Sequence, residues 1–516
     1  MKKIYVMAVM ALMGMPAMAQ DNVNLDTYAG AQLATEDLNG TARYVGMGGA
    51  MEALGADISV MGTNPAGIGL FRKSQVSGSF GIVVQEDGKS FQDGSKTNAS
   101  FDQLGVVFST RTGKQNFINF GFNYHKSRNF NYVLSAANKA VNGSSQNRQT
   151  TIKGIRGDLD KYWGESQNDK LYYNLIEGSQ GELYTIDATG YEFDRAHTGY
   201  IGEYDFNLSG NINNRIYLGL TVGIKDVHYN GYSEYFETLA PLTAGTPTEV
   251  LMTDDHKITG TGFDIKAGII VRPIEESPFR FGVSVATPTW YKLTTSNTTW
   301  IGDVQRISSD ADFRFYTPWK FGLSAGHTIG NNLALGISYE YADYTTNDMR
   351  SIDSRYYDDW DGYYNESSSS DQEMKRNTQN TLRGVSTLKL GGEYKVDKNI
   401  ALRVGYNYVS PMYKESGVRD QTLNSPGVYM ASTTDYTNWK DTHRFTLGAD
   451  FTFDKFRVDV AYQYQMRDGD FYPYMNGLSA SYIDGNGQTQ TLTNQCQAVK
   501  VKDNRHQLLA TLSYTF

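Results

Sequence analysis

The last eleven residues, His506 to Phe516, alternate between apolar and polar side chains with one exception. Leu508, Ala510, Leu512, Tyr514 and Phe516 share one face of an extended strand, and Gln507, Thr511, Ser513 and Thr515 share the other. Leu509 is the exception. A period of two belongs to a strand with different media on its two sides. The pattern recurs along the chain and is never replaced by a long helical one. Leu388, Leu390, Tyr394 and Val396 oppose Thr387, Lys389, Glu393 and Lys395; Leu402, Val404, Tyr406 and Tyr408 oppose Arg403 and Asn407. Val458, Val460, Tyr462, Tyr464 and Met466 oppose Arg457, Asp459, Gln463 and Gln465.

Fourteen such segments can be read: 76–85, 102–111, 116–134, 200–210, 214–230, 261–273, 278–289, 314–327, 331–345, 382–396, 399–411, 442–453, 456–468 and 505–516. Short connections at Thr112-Gly113-Lys114, Asn211-Ile212-Asn213, Pro273 to Ser277, Ile329-Gly330-Asn331, Asp397-Lys398 and Asp454-Lys455 alternate without a slip with long ones. The long ones span about 86–101, 135–199, 231–260, 290–313, 346–381, 412–441 and 469–504. Outer-membrane barrels put short turns in the periplasm and long loops outside. Alternation alone also fits a soluble sandwich, but an open sheet of this size exposes its edges. The expectation is therefore an all-β chain: a transmembrane outer-membrane barrel of about 14 antiparallel strands over residues 76–516.

The beginning of the chain supports export. Lys2 and Lys3 precede an apolar run from Ile4 to Met15, and Ala17-Met18-Ala19 offers small residues for cleavage. Residues 1–19 read as a signal peptide, with the mature chain starting at Gln20. Beyond it no run of about 18 apolar residues occurs, which excludes a helical membrane protein. The single cysteine, Cys496, leaves the fold without an internal disulfide. Aromatic residues make up 13% of the chain, as suits a barrel with aromatic rims, and the net charge of -9 argues against a nucleic-acid partner.

Residues 20–75 differ from the rest. They are interrupted by Gly40, Gly46, Gly48, Gly49 and Gly55 and end in the turn Asn64-Pro65-Ala66-Gly67. So short a Gly- and Ala-rich stretch cannot build a sizeable core of its own. It is either a periplasmic appendage or a plug, and a fourteen-stranded barrel is too wide for small side chains alone to fill, which favours the plug. The run Ala42-Arg43-Tyr44-Val45-Gly46-Met47-Gly48-Gly49-Ala50, followed by Asp57 and by Asn64-Pro65-Ala66-Gly67, resembles the hatch of the FadL/TodX family of outer-membrane transporters for long-chain fatty acids and other hydrophobic compounds. The resemblance implies a fourteen-stranded barrel, an amino-terminal hatch within it, and lateral release of ligand beside a kinked third strand, where His125 to Asn131 offer a place for the kink. The family's outer ligand-collecting groove is not recognisable in the loops.

Asn64, Pro65, Ala66 and Gly67, with the glycine-rich Gly46, Met47, Gly48, Gly49 and Ala50, are thus the candidate hatch residues. Pro65 fixes the backbone, Ala66 and Gly67 permit close approach to the wall, and Asn64 can cap the turn. The carboxylates Asp358, Asp359, Asp361, Glu366, Asp371 and Glu373 suit calcium in type but lack EF-hand spacing. The histidines, among them His125, His197, His228, His256 and His327, show no zinc-binding spacing. Arg156-Gly157-Asp158 is only a three-residue match to an adhesion motif. Ser481 and Ser513 have no evident histidine on their face apart from His506, so no catalytic residue, metal or cofactor is expected. The function expected is passive uptake of hydrophobic small molecules such as long-chain fatty acids by a monomer among outer-membrane lipids and lipopolysaccharide. A structural or secretion-assisting barrel and a general porin are the alternatives.

Overall fold

The computed structural model describes residues 4–5, 25–139, 141–145, 176–177, 183–184, 188–240, 248–302, 304–358, 363–429, 433–484 and 489–516. Apart from residues 4–5, the signal-peptide region lies outside them, as does Arg156-Gly157-Asp158.

Fourteen antiparallel strands close into a barrel. In chain order they are β1 Gln75–Gln85, β2 Thr97–Arg111, β3 Phe117–Asn129 with its continuation Tyr132–Asn138, β4 Ala188–Ile212, β5 Ile216–Leu239 and β6 Thr248–Val271. There follow β7 Arg280–Ala286 continued by Trp290–Ile301, β8 Val304–Tyr316 continued by Lys320–Ile329, β9 Leu333–Asp343 and β10 Gly384–Lys395. The last four are β11 Ile400–Val409, β12 Tyr436–Phe453, β13 Phe456–Tyr472 and β14 Arg505–Thr515. β14 pairs with β1, from Gln75 opposite Thr515 to Gln85 opposite Arg505, so the wall has no free edge at its seam.

The two faces separate as the alternation predicts. Val404 is 59% exposed and Leu447 58%, on the outside, while their neighbours Arg403 and Thr446 are buried in the bore. A ring of exposed Phe, Leu, Ile and Val is intolerable in water and natural in lipid, so the chain is an outer-membrane barrel and its transmembrane wall is built from strands. Leu509, the one apolar residue on the polar face of β14, is fully buried against Ala42, Val45 and Ala461. Its break in the alternation marks a place where the bore is filled rather than wet.

Several stretches read as loops are strands. β4, β5 and β6 run for 25, 24 and 24 residues, whereas roughly 9–11 cross a bilayer. The expected loops at 231–260 and 290–313 are therefore largely ladder, with Asn230 opposite Lys257 and Leu239 opposite Thr248, and 346–381 contains a further hairpin, Asp348–Asp358 with Tyr363–Ser370. Runs such as Thr294-Thr295-Ser296-Asn297-Thr298-Thr299 carry loop-like side chains because neither face of that ribbon meets lipid.

Residues 25–73 lie inside the ring. They form α1 Thr27–Ala34, α2 Ala42–Gly46 and the 3-10 turns Ile58–Gly62 and Pro65–Leu70. Asp26, Thr41, Asp57 and Asn64 each accept a bond from a backbone N–H of the turn they precede. Met47, Met51, Ile58, Val60, Met61 and Ile68 form a small core with Val107 of β2.

Candidate functional site

The two candidate hatch motifs sit against opposite parts of the wall. Gly46 to Ala50 pack on β9 to β12, where a Cβ added at Gly336, Gly391 or Gly405 would overlap the backbone of Ala50, Met47 or Gly48. Asn64 to Gly67 pack on β4 to β7. A Cβ at Gly219 would overlap the Pro65 carbonyl, and one at Gly268 the Asn64 amide. The Asn64 Oδ1 caps Ala66 N at 3.2 Å, and Asn207 Nδ2 reaches Pro65 O at 3.4 Å. Glycines on the wall thus let the inner segment touch it backbone to backbone.

Ion pairs fasten the same segment. Arg43 binds Glu393 at 2.9 and 3.1 Å, and Glu52 meets Lys389 at 2.8 Å. Glu36 reaches both Lys225 and Lys320 at 2.7 Å. Burial alone would raise the Glu36 carboxyl, but these two ammonium groups hold it well below the ordinary carboxylate range.

The wall is interrupted at the third strand. β2 and β3 pair from Arg111 opposite Phe117 to Gln103 opposite His125, and there the ladder stops. β3 stays on β4 as far as Asn129, with a register shift between Lys126 and Arg128, and β2 stays on β1 as far as Thr97. This register shift falls within His125 to Asn131, the stretch where the resemblance implied a kink. Between the parted strands lie three residues of the inner segment. Asn39 Nδ2 donates to Asp102 Oδ1 and to Lys126 O, both at 3.1 Å, so one amide bolts the two edges. Asp37 N donates to Ser127 O at 2.8 Å; its carboxylate accepts from Asn129 N and from Arg128, each at 2.8 Å. Burial works to raise the Asp37 carboxyl, but Arg128 and Arg444 keep it below its usual value.

Outward of α1 is a cleft enclosing about 590 Å³, counting the part continuous with solvent. Its rings are Tyr28, stacked on Tyr413 at 5.0 Å and 12°, with Phe130, Tyr229, Tyr436 and Trp439. His197 and His256, distant in sequence, both stand edge-on to Tyr229, at 5.3 and 5.5 Å. Arg195 is paired with Asp435, and Arg419 with Asp26 at 2.8 Å. Sequence spacing gave no sign of this cleft, because its parts come from α1, β3 to β6, β12 and the segment preceding β12.

The other candidates are dispersed. Glu366 is held by Arg314 and Arg355, Asp371 caps the helix Gln372–Thr381, and Glu373 pairs with Arg376; Asp359 and Asp361 lie outside the described residues. Ser513 is buried toward the bore, whereas His506 bonds Tyr462 and Glu86 on the other face. His125, Glu203 and Asp205 bring potential ligand atoms within 4.8 Å of one another, but Lys225 and Lys266 already neutralise those carboxylates, so a cation would have to displace an ammonium group.

A barrel with an inner amino-terminal segment and a parted third strand invites comparison with solved structures. A Pseudomonas aeruginosa FadL homologue superposes over 94% of this chain and 100% of its own, at a TM-score of 0.52 and 14% identity. The chain has the FadL-type barrel fold. The Ralstonia pickettii toluene transporter TbuX matches at a TM-score of 0.48 and 12% identity over 93% of this chain and 100% of its own, and the Pseudomonas putida toluene transporter TodX at 0.46 and 12% over 93% and 99%. No protein-family model matches the sequence, and no curated protein does so. At these identities the FadL-type likeness is one of fold, and the function must be argued from the site.

Proposed function

We propose that the protein takes up hydrophobic small molecules passively across the outer membrane, with residues 25–73 acting as a hatch. A molecule adsorbs among the outer ribbons, enters the aromatic cleft between α1 and β12, and leaves sideways between β2 and β3 when Asp37 to Asn39 move. The single observation that carries this reading is the position of those three residues, which occupy a parted seam beside the cleft by hydrogen bonds rather than by strand pairing. Hydrogen bonds of that kind open without unfolding the barrel. The filled bore supports a closed conduit rather than a general porin, and no covalent step is required. The FadL-type fold supports a hydrophobic cargo; long-chain fatty acids are one such cargo. We take the working unit to be a monomer surrounded by outer-membrane lipids and lipopolysaccharide.

The test is a proteoliposome assay with a labelled fatty acid and, in parallel, planar-bilayer conductance. The intact chain should transfer the fatty acid and pass almost no ions. Removal of residues 25–63 should leave a heat-modifiable folded barrel that conducts ions and no longer shows saturable transfer. An intact protein that conducts like an open pore, or that transfers no hydrophobic probe, would refute the proposal.

A further inference from the structure

Among the described residues, charge is nearly balanced at two levels of the bore. Arg43, Arg403 and Arg457 face Glu393, Asp450 and Asp459, three against three. Lys225, Lys266 and Lys320 face Glu36, Glu203, Asp205 and Asp264, three against four. Behind the cleft the balance tips the other way. Among the described residues, Arg128 of β3, Arg444 of β12, Arg467 of β13 and Arg505 of β14 have Asp37 and Asp503 as their ion-pair partners. Four guanidinium groups against two carboxylates leave a surplus of two positive charges.

Among the described residues, no further carboxylate pairs with the surplus. Arg444 spends its remaining donors on Gln465 and Asn407, which are neutral. The Nε atoms of Arg128 and Arg467 are buried without a hydrogen-bond partner. An unmatched buried charge and an orphaned donor each cost free energy that a bound anion would recover. The cluster also adjoins the cleft: Arg467 lies 4.3 Å from the Trp439 ring centre and Arg128 5.9 Å from that of Phe130, and both rings line the cleft.

We infer that this arginine cluster is the head-group site for an amphiphile whose body lies in the aromatic cleft and whose head carries two negative charges, as a phosphate monoester does. A single carboxylate would neutralise half of the surplus, and an uncharged head none. Guanidinium forks match tetrahedral oxyanions with paired, charge-assisted hydrogen bonds. The inference rests on the uptake reading for the role of the cleft and goes beyond it in naming the cargo's head.

The test uses three ligands with one tail: dodecyl phosphate, dodecanoate and dodecanol, titrated calorimetrically into the full chain in a non-ionic detergent at about pH 8, where the phosphate is a dianion. Dodecyl phosphate should bind about tenfold tighter than dodecanoate, and dodecanoate tighter than dodecanol. Raising salt from about 50 to 500 mM should weaken the phosphate and leave dodecanol unchanged. Arg444→Gln should cost the phosphate about tenfold and leave dodecanol within about twofold; Arg444→Lys should recover part of the loss. If Arg444→Gln fails to form a heat-modifiable barrel, Arg467→Gln serves in its place. Equal affinities for the three ligands, or a phosphate affinity indifferent to the arginine changes, would overturn the assignment. Proteoliposome transfer separates the two claims. The predicted binding order without transfer sustains the site and refutes uptake. Transfer of dodecanol with no preference for charged heads sustains uptake and refutes the site.

Discussion

Replacing Asp37 by alanine tests the seam directly. The aspartate carboxylate accepts from Asn129 N and from Arg128, each at 2.8 Å, while its backbone N–H donates to Ser127 O. Alanine deletes the first two bonds and keeps the third. Two charge-assisted bonds are worth about 3–6 kcal/mol when fully desolvated. The Asp37 side chain is 20% exposed and that of Arg128 11%, so water recovers part, and a loss of about 2–4 kcal/mol of local docking is expected. That corresponds to an opening equilibrium raised about 30- to 700-fold. Asp37→Asn keeps an acceptor for Asn129 N but loses the charge facing Arg128, and should raise opening by about 5- to 30-fold. The readout is hydrogen exchange at the position-37 amide, which stays bonded to Ser127 O only while the segment is docked. Exchange at Leu208, inside the β4–β5 ladder, serves as control. Exchange at position 37 rising by less than about fivefold in Asp37→Ala would refute the reasoning, as would an equal rise at Leu208, which would mean that the whole barrel had loosened.

Acid should open the same seam. The carboxyls of Glu36 and Asp37 are held below their ordinary values, so their contribution to docking is complete at neutral pH and is lost as pH falls below about 4 and through their depressed values; position-37 exchange, corrected for its intrinsic pH dependence, should rise on that limb and stay flat above about pH 5. Gly219→Val places a side chain where the Pro65 backbone now lies, and should leave a heat-modifiable barrel whose residues 60–70 are cut by added protease at least about tenfold faster than in the parent. Phe206→Arg puts a charge on the lipid-facing side of β4, where the phenyl ring is 50% exposed, and should lower barrel stability by about 2–4 kcal/mol in urea titrations from lipid vesicles if the site is near the midplane.

The wall could be read from the sequence because lipid on one side and polar bore on the other impose a strict period. Leu402, Val404, Arg403 and Asn407 fall on the faces their chemistry demands. The outer ribbons could not, since Thr295, Asn297 and Thr299 turn toward protein while Thr294, Ser296 and Thr298 turn outward, and both rows are polar. The site was still less legible. Arg128, Arg444, Arg467 and Arg505 come from four strands, and each alone reads as an ordinary bore residue. Their convergence depends on closure, which places β14 and β3 on the same side of the ring. The motif glycines had a visible signal, but the wall glycines that receive them, such as Gly219 and Gly405, looked like any small bore-facing residue.

Under the proposed uptake, the chemistry of the bore favours a sideways path over a straight one. Straight down, an apolar solute would have to pass the packed core of Met47, Met51 and Met61 and then rows of paired charges such as Arg403 with Asp450 and Asp459. Every step would strip contacts from an apolar surface or force ion pairs apart, and each buried pair costs about 3–5 kcal/mol to break one-sidedly. Sideways the obstacle is smaller: Phe130 lines the cleft, Arg128 and Asn129 lie just before it on β3, and Asp37 and Asn39 hold the seam there by hydrogen bonds. The residue that holds the seam shut is also one of the two carboxylates facing the arginine cluster. On the proposed reading, an anionic head arriving at Arg128 would compete with Asp37 for the same guanidinium, and binding of cargo would weaken the contact that closes the seam.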